Sequence, residues 1–243
     1  MNDVCMAIIG GAMAELPQKV CYVTSDGIVA INLYTPFTKT INVDGASIKL
    51  SCKTDYPNSG DVIFEVGVDS DVPLAFRVPR WCNGMTASVN GCAAVEVRKS
   101  DKGLFYLNCS WKAGDKIKLS MPMPWRLVRG REMQVGRVAL MRGPMVFCLG
   151  RDQNAALFKR FPRFRDLIVD PASVGNPMPD STIRENGVKV SALAWMTADC
   201  AGDKVPVAFT EFADPSGQEI YFRVPDMDNT GPLALCDDEI ISQ

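Results

Sequence analysis

Apolar residues recur first at helical spacing and then at every second position. Val4, Ala7, Ile8, Gly11, Ala12 and Leu16 share one helical stripe, with Asp3 placed to cap it and Pro17 to end it. A helix over residues 3–16 is expected, weakened by Gly10 and Gly11 at about 1 kcal/mol each. From Gly27 the period becomes two. The run Gly27 to Tyr34 is β-rich and is closed by Pro36. Asp44-Gly45 and Asn90-Gly91 are hairpin signals, because both residues of such a pair tolerate positive φ. Ile48, Leu50 and Cys52 alternate with Lys49, Ser51 and Lys53, which predicts a strand with one wet face. Val62, Phe64, Val66 and Val68 predict another, and Ile117, Leu119 and Met121 a third.

The run Met121-Pro122-Met123-Pro124 interrupts the alternation. A second apolar series follows at Arg137 to Arg142, Met145 to Leu149, Val188 to Met196, Val205 to Phe212 and Glu219 to Val224. Between them, Arg151 to Asn186 reads as a long irregular stretch, and the acidic tail after Pro225 as poorly ordered. The expected fold is mostly β: two antiparallel β-sandwich, jelly-roll-like modules over 22–124 and 125–243, behind a short N-terminal helix within 1–21.

Composition narrows the chemistry. The 243 residues are 47% hydrophobic and 22% charged, ordinary for a globular chain. A formal net charge of −2 supplies no basic footprint for nucleic acid and no polybasic membrane signal. No apolar run approaches the ~18 residues of a membrane span. Histidine is absent, which removes the usual general base and the Ser-His and Cys-His nucleophile pairs. The nine cysteines form no C-x-x-C pair, so they read as buried free thiols. With no basic leader at the N-terminus, these thiols favour a cytoplasmic location.

The order of motifs is the most informative feature. T-S-D-G-I-V-A-I-N-L-Y (Thr24 to Tyr34), T-D-Y-P (Thr54 to Pro57), R-V-P-R-W (Arg77 to Trp81), W-K-A-G-D (Trp111 to Asp115) with its M-P ending, and G-R-V-A-L-M-R-G-P (Gly136 to Pro144) occur in succession. T-E-F-A-D-P (Thr210 to Pro215) with Tyr221-Phe222 follows. In this order they resemble the region after the catalytic barrel in the β-L-arabinofuranosidase family of glycoside hydrolases, family 127. Each motif also has a structural purpose: Gly114-Asp115 is a turn, and Trp81 and Trp111 suit a core.

That resemblance implies a cysteine nucleophile beside a zinc ion held by cysteines and a glutamate, with a second glutamate as acid/base. Zinc would lower the thiol pKa. The family's adjacent cysteine pair aligns with Val4 and Cys5. Cys5 would then match a zinc ligand, with no cofactor held by this chain alone, and Val4 would stand where the nucleophile belongs. The remaining ligands are expected upstream of Met1, as in a truncated or split gene. The chain is therefore expected to be an accessory C-terminal part of such a glycosidase, partnered by a catalytic-barrel polypeptide or by itself through an uncovered apolar face. The alternative is a free-standing carbohydrate-binding or protein-interaction β-sandwich.

Other candidate chemistry is sparse. Glu65, Glu96, Glu211, Asp214 and Glu219 are the carboxylates a two-acid glycosidase could use. Glu65 and Glu96 alternate with apolar residues and are expected to face water. Glu211 could line a cleft. Trp125 and Trp195 are the candidate stacking surfaces for a plant-type glycan, although core packing is the plainer fate of each. The basic run Lys159 to Arg165 could meet acidic sugars or an acidic partner.

Overall fold

Alternation of period two becomes strand along most of the chain. The computed structural model describes residues 15–237, which divide into two compact units between Pro122 and Met123. The first unit begins with helical residues 15–20 (α1), followed by β1 (Cys21–Val23), β2 (Val29–Ile31), β3 (Phe37–Val43), β4 (Ala46–Thr54) and β5 (Asp61–Val66). It continues through β6 (Leu74–Arg77), β7 (Thr86–Val89), β8 (Val95–Glu96), β9 (Leu104–Leu107) and β10 (Lys116–Ser120). These strands make a four-stranded sheet, β1-β2-β6-β9, and a six-stranded sheet, β3-β4-β5-β10-β7-β8.

Both predicted hairpin signals form turns. Asp44 and Gly45 join β3 to β4 with φ of 45° and 86°, and Asn90 and Gly91 follow β7 with φ of 52° and 73°. Ile48, Leu50, Val62, Phe64, Val66, Ile117 and Leu119 are all fully buried. They share one core cluster with Val29, Ile31, Leu74 and Phe76 of the four-stranded sheet. Trp111 lies in the same core, and its indole N–H donates to the Val72 carbonyl at 3.1 Å.

The second unit is built on one ten-stranded sheet. Its strands are β11 (Trp125–Arg129), β12 (Val138–Arg142), β13 (Met145–Gly150), β14 (Ile168–Asp170) and β15 (Met178–Pro179). After them come β16 (Val188–Trp195), β17 (Val205–Glu211), β18 (Gly217–Glu219), β19 (Tyr221–Phe222) and β20 (Ala234–Cys236). The main path is β14-β16-β17-β13-β12-β11-β20, and one short helix, α2 (Ala155–Arg160), follows β13. Leu127, Leu140, Phe147, Leu149, Val169, Val190 and Phe209 form its core.

The mostly β reading holds, with local corrections. Pro17 lies inside helical residues 15–20 instead of ending the helix, while residues 3–14 lie outside the described part. Val68 is 37% exposed because β5 stops at Val66, whose amide makes the last bond toward the β10 side, to the Asp115 carbonyl at 2.9 Å. Pairing between the named strands is antiparallel except between β2 and β6 and between β11 and β20, and Ile168 makes one further parallel bridge with Arg223. The tail is ordered as far as β20, which pairs alongside β11; an open strand edge offers unpaired backbone groups to any nearby segment. The stretch 151–186 holds α2, β14 and β15.

The turn at 57–60 sets a steric limit. A Cβ on Gly60 would lie 1.8 Å from the Met121 carbonyl oxygen, on the segment that leaves β10. Gly60→Ala is expected to lower stability by about 1–3 kcal/mol, read as a reduced urea midpoint with an unchanged m value.

Candidate functional site

The sequence-predicted carboxylates of the second unit are engaged in its own architecture. Glu211 ends β17 and is 6% exposed. Arg184 grips it with two donors: Nε reaches Oε2, and Nη2 reaches Oε1 at 2.8 Å. The Val188 amide donates to Oε1 at 3.0 Å, so this carboxylate fixes the start of β16 to the end of β17. The remaining contact of Arg184 Nη2 is the Met145 sulfur at 3.3 Å.

Asp214 sits in the turn between β17 and β18, also buried. Its Oδ2 accepts from the Thr210 hydroxyl at 2.7 Å, and its Oδ1 from the Ser216 amide at 2.7 Å. Burial alone would raise this carboxyl, but bonds from Thr210 and Ser216 outweigh it and hold it below the usual range. Gly150 lies against the pair: a Cβ there would come within 2.6 Å of Asp214 Oδ2. Asp180 is similarly placed, with Oδ1 accepting from the Thr182 amide and hydroxyl and Oδ2 3.5 Å from Lys189 Nζ.

Glu219 differs. Burial pushes its carboxyl upward, opposed by Arg137, whose Nη1 is 3.8 Å away, and by Arg165. Glu96 is exposed and Glu65 half-buried in the first unit.

The two tryptophans have neighbours over their rings. Trp195 ends β16 with Lys204 Nζ 4.4 Å from its ring centre, and the same ammonium pairs with Asp170 at 2.6 Å. Trp125 begins β11 and meets Phe147 edge-on at 4.8 Å, while its indole nitrogen is buried without a hydrogen-bond partner. In the basic run, Phe164 is buried against Phe158, whereas Lys159, Arg160, Arg163 and Arg165 face solvent. Cys5 and Val4 lie outside the described residues. Among the described residues no three His, Cys, Asp or Glu side chains gather as a metal donor set, so none of them fits the zinc that the family resemblance implies.

The cysteines divide by environment. Cys21, Cys52, Cys82 and Cys148 are buried, but Cys92 and Cys109 are exposed because they sit in loops beyond the strands. Burial raises the Cys52 thiol to about 12.

Two concavities of the first unit went unread in the sequence. The outer face of the four-stranded sheet floors a polar trough of 560 Å³, whose walls include Tyr22, Asp26, Arg77, Lys99, Asp101 and Tyr106. An apolar groove of 710 Å³ runs beside α1, lined by Leu16, Pro17, Val20, Leu33, Pro36 and Phe37 among others. Trough residues come from separate turns and strands, so no local motif announces them. The only sequence signal is that Tyr22 and Tyr106 occupy the polar phase of their strands.

Residues 28–123 match the profile "Beta-L-arabinofuranosidase, GH127 middle domain". The family resemblance is therefore borne out for this part of the chain, which is consistent with a region of glycoside hydrolase family 127. It is 29% identical over 161 residues to the non-reducing end β-L-arabinofuranosidase of Bifidobacterium longum subsp. longum, covering 62% of this chain and 24% of that enzyme. The chain thus spans about a quarter of that curated relative. The crystal structure of a GH127 β-L-arabinofuranosidase from Geobacillus stearothermophilus T6 superposes with a TM-score of 0.73 at 24% identity, over 87% of this chain and 36% of that one. A second GH127 β-arabinofuranosidase gives 0.73 at 22% identity, over 90% and 38%. These two structures show the shared fold.

Two expectations follow. The lowered Asp214 carboxyl contributes stability that is fully present above its unfolded value of about 3.9 and is lost as pH falls through the lower folded value. Asp214→Asn is expected to cost about 1.5–3 kcal/mol at pH 7 and to make stability less dependent on pH below 4, measured by urea unfolding from pH 7 to pH 2.5. Mass-spectrometric alkylation of the native protein at pH 8 is expected to label Cys92 and Cys109 first and Cys52 only on unfolding.

Proposed function

We propose that this chain is the non-catalytic β portion of a GH127-type glycosidase, supporting a catalytic barrel domain of that family that acts on plant-type glycans. The observation carrying this reading is the fate of the buried carboxylates. Glu211 is clamped by Arg184 and Val188, and Asp214 by Thr210 and Ser216, so both serve the fold instead of standing ready to move protons. A general acid/base needs a free face toward substrate and a pKa near its working pH; Asp214 is shifted away from that range. The profile match to a middle domain agrees, since such a region works within a larger enzyme. The apolar groove beside α1 is the surface that a catalytic domain would cover, where Leu16 is 47% exposed.

The test is direct. The purified chain, incubated with 4-nitrophenyl β-L-arabinofuranoside, is expected to release no nitrophenol above the buffer rate. Turnover at about 1 per second or faster, the ordinary enzyme range, would overturn the proposal. Glu211→Gln is expected to lower stability by about 1.5–3 kcal/mol, because Arg184 loses its charged partner. A Glu211→Gln variant with native stability but a lost hydrolytic activity would place that residue in catalysis.

A further inference from the structure

We propose that the outer face of the four-stranded sheet in the first unit is a binding site for a uronic-acid saccharide. This site is independent of whether the chain hydrolyses anything. Strand register builds it. Tyr22 of β1 lies opposite Ala30 of β2, Ala30 beside Ala75 of β6, and Ala75 opposite Tyr106 of β9. Residues aligned across a sheet share a face, so one row reads Tyr, Ala, Ala, Tyr. Two large rings stand on the edge strands, and two of the smallest side chains lie between them. Three strand spacings separate the tyrosines by about 14 Å. Ala30 and Ala75 are fully buried beneath Ile28 and Leu104, which complete a small apolar floor.

The opposite face of the same strands belongs to the main core, through Val29, Ile31, Leu74 and Phe76. The trough therefore rests on a sheet fixed from behind. Its volume of 560 Å³ falls in the range of small-ligand sites, roughly 300–1,000 Å³.

The walls supply charge and hydrogen bonds of both signs. Arg77, Arg80, Lys99 and Lys102 line the trough together with Asp26 and Asp101, leaving a cationic excess in a chain whose net charge is −2. Arg77 is aimed by Asn32, whose Oδ1 accepts from Nη1 at 2.9 Å. Asn32 in turn donates to the Lys19 carbonyl at 3.2 Å. One donor of the guanidinium is thus used for positioning, and its planar fork suits a carboxylate. Lys99 and Lys102 have no ion-pair partner among the described residues. They flank a tight turn held by the Ser100 hydroxyl, which accepts from the Leu104 amide at 3.2 Å. Opposite, the Thr24 hydroxyl accepts from the Ile28 amide at 3.1 Å and holds the turn bearing Ser25 and Asp26.

This chemistry selects among anions. Tyr22 and Tyr106 are 45% and 37% exposed, giving ring faces that can stack on a sugar. Asp26 and Asp101 can accept bonds from sugar hydroxyls, and they repel a compact multivalent anion such as phosphate. A ring that carries one carboxylate and several hydroxyls satisfies both sets of groups.

Calorimetric titration of the intact chain with trigalacturonate, galactotriose and inorganic phosphate tests this. Trigalacturonate is expected to bind, with affinity falling as salt rises, and the other two probes at least tenfold more weakly. The double variant Lys99→Ala/Lys102→Ala and the single variant Tyr106→Ala are each expected to weaken trigalacturonate binding at least tenfold. Thermal unfolding should stay unchanged, since all three side chains are exposed. Equal binding of phosphate would reduce the trough to an anion site and overturn the proposal. Equal binding of galactotriose, no binding of trigalacturonate, or unaltered affinity in both variants would do the same. Dimerisation by light scattering that Lys99→Ala/Lys102→Ala abolishes would assign the face to a second copy of the chain.

Discussion

The contact between Val29, Ile31, Leu74 and Phe76 on one sheet and Ile48, Leu50, Phe64 and Ile117 on the other governs the first unit. All eight side chains are fully buried. At roughly 1.5–3 kcal/mol for each large apolar side chain removed from water, this interface is the main term holding the two sheets together. It also fixes the phase of every strand involved. Once Val29 and Ile31 point inward, Ala30 must point outward, and the same holds for Ala75 between Leu74 and Phe76. The outer trough is thus a consequence of the inner packing, and a register slip of one residue would destroy both.

In the second unit the comparable constraint is polar. Glu211, Asp214 and Asp180 lie buried among Arg184, Lys189, Thr210, Thr182 and Ser216. Each carboxylate binds backbone amides at a strand end or turn: Val188 for Glu211, Ser216 for Asp214, Thr182 for Asp180. These bonds terminate strands where the ladder runs out, which satisfies donors that would otherwise be buried unpaired. Gly150 is required beside them because any side chain would strike Asp214. Carboxylates committed in this way are stabilising, because their charge is spent on strand ends and turns.

Much of the architecture is legible in the sequence. The alternations at Ile48 to Cys52 and at Ile117 to Met121 fall on buried positions, and Asp44-Gly45 makes the turn its positive φ values permit. Errors came where pairing partners are distant. Val68 continues the pattern of β5 by sequence, yet the strand stops two residues earlier, at Val66, where its pairing with β10 reaches Asp115 and runs out. The acidic tail gave no sign of β20, since its order depends on the open edge of β11 about a hundred residues upstream. Cys92 precedes the apolar run Ala93-Ala94-Val95 and yet meets solvent, as does Cys109 between Asn108 and Ser110.

Sequence alone determined the β character, the positions of the tight turns and the family resemblance, because these depend on local φ preferences, on period-two patterning and on an ordered set of short motifs. Tertiary structure decided which polar groups could act on a ligand. Glu211 became a clamp for Arg184, whereas Tyr22, Arg77, Lys99 and Tyr106, far apart along the chain, became one wall system. Burial and convergence are properties of the assembled sheets: they depend on which strands become neighbours, and hydrogen bonds between distant strands leave no periodic trace in the chain.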